Sequence, residues 1–172
     1  MDLGKVVQRI LDEYVLPLGG LHGISHWARV LETGRELARR TGARIEVVEL
    51  FAVIHDSKRL NEGRDDRHGF RAAESLNLLR GPAFELPDDS LDLLFRACAY
   101  HTDGLTEEDV TVQTCWDSDR LDLGRAGITP DPARLCTDAA KDGGMLKQSH
   151  WKSERRYVPE LVSRDWGIKI PG

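Results

Sequence analysis

Apolar positions along this chain recur with helical spacing almost throughout. Val6, Val7, Ile10 and Leu11, followed by Tyr14 and Val15, predict a first helix stopped by Pro17 and Gly19-Gly20. Trp27, Val30, Leu31, Gly34, Leu37 and Ala38 form one stripe of a second helix, with Ser25 as its expected cap and Gly42 as its end. From Ile45 to Ile54 only Glu46 and Glu49 interrupt the apolar run, so this helix is expected to be central and buried on most sides. A further helix is predicted from Asp65 or Asp66 through Ala72, Ala73, Leu76 and Leu79 to Gly81-Pro82. Another, capped by Asp88 or Asp89, carries Leu91, Leu94, Phe95, Cys98 and Ala99 inward. Val112, Cys115, Trp116 and Leu123 give the next stripe, and Pro132 opens a short helix through Leu135 and Ala139. From about Gly143 the chain is polar and aromatic, with Tyr157, Leu161, Val162 and Trp166 expected to dock back. Alternating β-branched runs and Asn-Gly turns are lacking. The pattern predicts an all-α domain of roughly six or seven helices.

Length and composition fit that picture. The 172 residues, 40% hydrophobic and 31% charged, suit one domain over 1–172 with a real core. No apolar run approaches the ~18 residues that span a bilayer, and the N-terminus lacks the pattern of a secretory signal. A cytoplasmic protein with no membrane partner is therefore expected. The net charge of −5 leaves no basic footprint for duplex nucleic acid. Three scattered cysteines, Cys98, Cys115 and Cys136, argue against a disulfide framework and read as buried small hydrophobes.

The chemistry begins with His55-Asp56, which ends the most apolar helix. Burying a carboxylate beside an imidazole there is costly unless a cation compensates, and a helix C-terminus favours a cation. Other polar groups lie on inward stripes. His26 leads the stripe of Val30 and Leu37; His68 aligns with Ala72, Leu76 and Leu79; His101 follows Leu94 and Cys98; Asp119 continues Val112, Cys115 and Trp116. Five helices can thus aim imidazoles and carboxylates at one point. Mixed His/Asp ligation suits Mn²⁺, Fe²⁺, Co²⁺, Ni²⁺ or Zn²⁺. His22, four residues before His26, could also face the site but reads rather as a loop residue ahead of the helix, and His150 as an exposed residue of the polar tail.

The ordered segments His26-Trp27-Ala28-Arg29-Val30, Ala52-Val53-Ile54-His55-Asp56 and Trp116-Asp117-Ser118-Asp119-Arg120-Leu121-Asp122 resemble the H…HD…D signature of HD-domain phosphohydrolases. His68-Gly69-Phe70-Arg71-Ala72-Ala73 and Tyr100-His101 look like further elements of that superfamily. The resemblance spans roughly residues 21–127, leaving 143–172 as a segment that packs on the core or is partly irregular. It implies a helical domain and a metal held by His26, His55, Asp56 and Asp119, with Asp117 as the runner-up to Asp119. One ion is expected and two are allowed for, since His68 and His101 occupy the interval that holds a second pair of ligands in some members. The gap from Asp56 to His68 is short, and no His-His pair stands at 101, which departs from the best-known two-metal pattern. The alternative role of His68 and His101 is to donate to a substrate phosphate.

The implied activity is hydrolysis of a phosphate ester or anhydride, of a nucleotide or small phosphometabolite, by metal-activated water. Asp56, or a nearby acid, is the group expected to orient that water. Lys58 and Arg59 are candidate phosphate contacts or capping charges. Arg29 and Arg120 are further phosphate candidates, Arg120 also a partner for Asp117 or Glu74. Two alternatives stand beside hydrolysis: a di-iron oxygenase using all six donors, and a ligand sensor that keeps the site without turnover. The stretches 81–89 and 102–109 are the expected rims, and the oligomeric state is not readable.

Overall fold

The central helix organises the fold, with four other helices packed directly on it. The computed structural model describes residues 1–170; the last two residues of the 143–172 segment lie outside the described residues. Helix α3 (Ile45–Ile54) buries Val47, Val48 and every residue from Leu50 to Ile54. It is flanked by α1 (Leu3–Leu11), α2 (Ile24–Thr41), α5 (Asp88–Tyr100) and α6 (Val110–Arg120), while α4 (His68–Leu79) lies on α5. Glu49, one of two acids in the run, turns outward to Arg35 at 2.7 Å. The chain closes with α7 (Asp138–Lys141), α8 (Gly143–Glu154) and α9 (Leu161–Arg164), and two 3-10 turns at Leu123–Ala126 and Pro132–Arg134. Among the described residues the only extended pairing is an isolated bridge between Arg80 and Phe84. The all-α expectation is met. No helix among the described residues is long and apolar enough to cross a membrane.

Several expected boundaries move, each for a local reason. Helix α1 stops at Leu11, so Tyr14 and Val15 lie beyond it; Tyr14 packs edge-on against Trp27 instead. Gly23, not Ser25, holds the cap position of α2, and Ser25 is inside the helix. At the other end Gly42 takes φ 77°, the left-handed conformation that lets glycine terminate a helix. Helix α4 begins at His68 rather than at Asp65 or Asp66, because the Asp65 carboxylate accepts from the Leu60 N–H and from Arg71. Asp88 and Asp89 sit in the first turn of α5, behind Pro87 at the cap. The helix predicted from Pro132 through Ala139 is broken into a 3-10 turn, capped by Asp131, and α7, capped by Thr137.

The largest departure is α8. Asp142 caps it by accepting from the Gly144 and Met145 N–H groups. Its buried face is Met145, Ser149 and Ser153, a small and mostly polar stripe that apolar periodicity does not reveal. The final segment does dock: Leu161, Val162 and Trp166 are buried, while Tyr157 stays 36% exposed. Nine α-helices, rather than six or seven, are present among the described residues. All three cysteines are free; Cys98 and Cys115 are buried and Cys136 only partly so. Burial pushes each thiol up, Cys136 to about 12 with the Asp117 carboxylate adding to the effect, so none is poised as a thiolate.

Candidate metal centre

Four imidazoles are fixed in the same way. His55, just past α3, sets Nδ1 3.0 Å from the Phe51 carbonyl. His101, just past α5, sets Nδ1 2.8 Å from the Cys98 carbonyl. His68, opening α4, sets Nδ1 against the Asp65 carbonyl, and His26, in the first turn of α2, sets Nδ1 2.7 Å from Asp122 Oδ2. A carbonyl or carboxylate oxygen only accepts, so each Nδ1 carries a proton and, in the neutral ring, Nε2 presents a lone pair. Those lone pairs converge: His26 and His55 Nε2 are 3.1 Å apart, and His68 and His101 Nε2 are 3.0 Å apart. The close approach of α4 to α5 requires Gly69, where a Cβ would stand 2.5 Å from the Cys98 carbonyl oxygen and 2.9 Å from the His101 ring.

Carboxylates complete two donor sets. Asp119 Oδ1 lies 3.5 Å from His26 Nε2 and 3.7 Å from His55 Nε2. Asp56 Oδ2 lies 3.5 and 3.7 Å from the same two nitrogens. A cation about 2.1 Å from each donor spaces its ligands roughly 3.0 to 3.4 Å apart, close to these separations. On its other side Asp56 Oδ1 is 3.0 Å from His68 Nε2 and 3.6 Å from His101 Nε2. Asp56 Oδ1 and Asp119 Oδ1 are buried and have no hydrogen-bond partner, although nitrogens surround both. A buried carboxylate oxygen without a donor is costly unless a cation sits beside it. His26, His55 and Asp119, and separately His55, Asp56 and His101, are groups that can hold a metal ion.

The electrostatics run the same way. Burial favours the neutral form of His26, and Arg125 reinforces it, so its affinity for a proton is lowered. Burial opposes charge on His55 as well, but Asp56 and Asp119 outweigh it and raise that group. Asp56 is held well below the usual carboxylate range: burial works against ionisation, and His55, His101, His22 and His26 override it. Asp119 is lowered against the same burial by His55 and then Arg125. The pocket thus keeps two ionised carboxylates together and stabilises positive charge between them.

The expected residues divide sharply. His26, His55, Asp56, His68, His101 and Asp119 are brought together. Asp117 is not: its carboxylate accepts from the Cys136 N–H at 2.7 Å and from the Thr137 N–H and hydroxyl at 2.8 Å. Lys58 points away to Glu13. Arg59 does reach the centre; its Nη1 is within 3.2 Å of both His68 ring nitrogens and 3.6 Å from Asp56 Oδ1. Arg29 is locked on Asp122 at 2.6 and 2.9 Å and on the Tyr157 carbonyl. Arg120 donates to the Leu105 and Arg134 carbonyls and caps the Trp116 ring, so neither Asp117 nor Glu74 is its partner.

Three residues join the site beyond the six expected donors. His22, read as a loop residue, sets Nδ1 2.8 Å from Asp56 Oδ2; its one signal was the spacing of four from His26. Asp122 orients His26, and was visible only as the last residue of the segment that runs from Trp116 to Asp122. Arg125 reaches to 3.6 Å from Asp119 Oδ1 while donating to the Leu21 and Asp122 carbonyls, and nothing in the sequence signalled it. His150 is half-buried rather than exposed, with Nδ1 lacking a partner beside Gly124.

A cleft of about 460 Å³ reaches the centre, with His101 and Asp119 in its wall. Thr102 and Gly104 line it as expected, but no residue of 81–89 does; the remaining wall comes from Arg120 and from 123–135. No family model, no curated protein and no solved structure matches the chain.

Proposed function

We propose that this chain is a metal-dependent phosphohydrolase of HD-superfamily type, acting on a small phosphorylated substrate. One observation carries the reading: four imidazoles, each holding its Nδ1 proton on an oxygen, aim their Nε2 atoms at two buried aspartates whose Oδ1 atoms lack donors. The order of these residues in the sequence, His26, His55-Asp56, Asp119, supports the superfamily assignment.

In this reading His26, His55, Asp56 and Asp119 hold a first divalent cation, and Asp56, His68 and His101 suit a second. Such cations supply an activated water and a Lewis acid for a phosphoryl oxygen. The chain's own residues do the rest. Asp56 presents one oxygen to each donor set and so fixes the spacing of the two. Asp119 reaches the cleft wall, where it orients the attacking water. Arg59 and Arg125 flank the centre and offset the charge of a phosphate dianion. The water oxygen forms a bond to phosphorus, and the ester oxygen leaves with its bonding pair and takes up a proton.

The test is phosphate release from p-nitrophenyl phosphate and a panel of phosphate esters, with Mn²⁺, Co²⁺, Ni²⁺ or Zn²⁺ added to chelated protein. Metal-dependent release, lost in Asp56→Asn, is expected. Protein that binds these ions yet turns over nothing refutes hydrolysis. The same six donors also suit a two-iron oxygenase, so oxygen uptake by iron-loaded protein without phosphate release favours that reading instead.

A further inference from the structure

The cleft beside the metal centre has a composition that selects among phosphate compounds. We infer that the substrate is a phosphomonoester of one compact, uncharged organic group with an apolar face, rather than a nucleoside triphosphate or an oligonucleotide. This rests on the phosphohydrolase reading above and narrows it.

Access comes first. The side chains of His26 and His55 are fully buried, and those of Asp56, His68 and His101 nearly so; Asp119 is the most exposed donor, at 13%. A phosphate therefore meets the centre from the Asp119 side, where the cleft lies, and the organic group it carries must occupy that cleft. At about 460 Å³ the space falls toward the lower end of the ~300–1,000 Å³ typical of small-molecule pockets. It takes one compact group, not two linked nucleosides.

The wall chemistry comes next. Leu123, Ile128, Pro130 and Leu135 give the cleft an apolar side, and Ile128 is 52% exposed there. Thr102 and Thr129 offer hydroxyls for a neutral polar edge. Charge is scarce. The Arg120 guanidinium is taken by the Leu105 and Arg134 carbonyls. Arg134 is the one lining cation whose side chain has no hydrogen bond or ion pair among the described residues, and Asp131 lies in the same wall. A triphosphate brings roughly two more negative charges than a monoester into this space. One exposed arginine beside a carboxylate does not neutralise them, and unpaired charge is how a site rejects a competitor. The apolar side, by contrast, matches the face of a base or other ring.

The reaction balances without a further reagent: water adds oxygen to phosphorus, the ester P–O bond breaks, and the products are inorganic phosphate and the free alcohol. The experiment compares adenosine 5′-mono-, di- and triphosphate and the dinucleotide ApA on the full Mn²⁺-loaded chain, by phosphate release and by calorimetric binding. The monophosphate is expected to lead the triphosphate by at least about tenfold in kcat/KM and in affinity. In Ile128→Asp, the preference for adenosine monophosphate over glycerol 3-phosphate is expected to fall about fivefold or more. Equal or better handling of the triphosphate or of ApA overturns this inference while leaving phosphohydrolysis standing. Absence of all turnover refutes the parent reading, and the calorimetric order still decides which ligand class the cleft accepts. An Ile128→Asp enzyme with unchanged preference also overturns the inference, since the apolar wall then does not contact the organic group.

Discussion

Asp122→Asn separates the two tasks of one buried carboxylate. Asp122 accepts from Arg29 Nε at 2.6 Å and Nη2 at 2.9 Å, and from His26 Nδ1 at 2.7 Å, with both charged side chains only 4% exposed. Its ionised form is favoured despite burial because His26 and Arg29 face it. The amide has the same shape but one acceptor oxygen, and its NH₂ must face a donor. Breaking a buried ion pair on one side costs about 3–5 kcal/mol, because the remaining charge is left uncompensated. Removing the oxygen behind a ligating imidazole costs about 10–100-fold in metal affinity. The two effects read out separately. Urea unfolding in excess chelator measures the first, as a loss of about 3 kcal/mol or more. Calorimetric titration of folded protein with Mn²⁺ at low temperature measures the second, as at least about a tenfold rise in Kd. If Mn²⁺ affinity stays within about twofold of the parent while the fold weakens, the claim that Asp122 sets the His26 tautomer and orientation is wrong. If stability also holds, Arg29 and Asp122 are not coupled as the distances indicate.

Lys58→Ala is expected to leave turnover unaltered and to cost under about 1 kcal/mol, since its partner Glu13 is exposed; a large loss of activity returns Lys58 to the phosphate. Gly69→Ala forces a methyl into the Cys98 carbonyl and the His101 ring, for about 1–3 kcal/mol of stability, and weakens a second cation more than the first, as metal stoichiometry measures. Asp65, held at about 2 by its hydrogen bond to Arg71, makes the fold acid-sensitive. Its folded value lies below the unfolded one, so its contribution is full above about pH 4 and is lost as pH falls toward 2. Urea midpoints across that window are expected to fall less in Asp65→Asn than in the parent. Cation binding to the native state alone raises stability by about 2.7 kcal/mol at a hundred times Kd. Chelation is therefore expected to lower Tm, and Mn²⁺ or Zn²⁺ to restore it. Mg²⁺, which prefers oxygen, is expected to do so poorly, because four of the six donors are nitrogens. Equal rescue by Mg²⁺ argues against the nitrogen-rich centre.

Helical periodicity made most of the centre legible. A side chain on an inward stripe has nowhere to point but the core, so His26, His68, His101 and Asp119 could be placed from their apolar neighbours alone. The central helix was equally plain, because only burial on most sides tolerates Val47-Val48 and Leu50 to Ile54 in one turn after another. The groups that orient these imidazoles were hidden for a different reason. His55 and His101 hold their Nδ1 protons on the carbonyls of Phe51 and Cys98, four and three residues back, and any helix end offers such carbonyls regardless of sequence. Phasing ranked Asp119 above Asp117 but did not exclude Asp117, because the groups that claim it, the N–H groups of Cys136 and Thr137, belong to a segment that returns from far along the chain.

Lys58 and Arg59 show where phasing carries further than adjacency. The chain continues in turns past α3, and at about 100° per residue Lys58 lies roughly 200° around from Asp56, Arg59 roughly 300°. The first is on the opposite side and meets Glu13; the second returns to the side of Asp56 and meets His68. Nearness in sequence to a ligand is thus no guide to nearness in space, whereas angular position is. The same rule explains His22, which precedes His26 by roughly one helical turn and so stands over the same face although it lies before α2 begins. A site read by angle rather than by adjacency keeps Arg59, brings in His22 and leaves Lys58 out. Chemistry at the end of a buried helix is specified by rotation about that helix's axis, and only secondarily by which residues are neighbours along the chain.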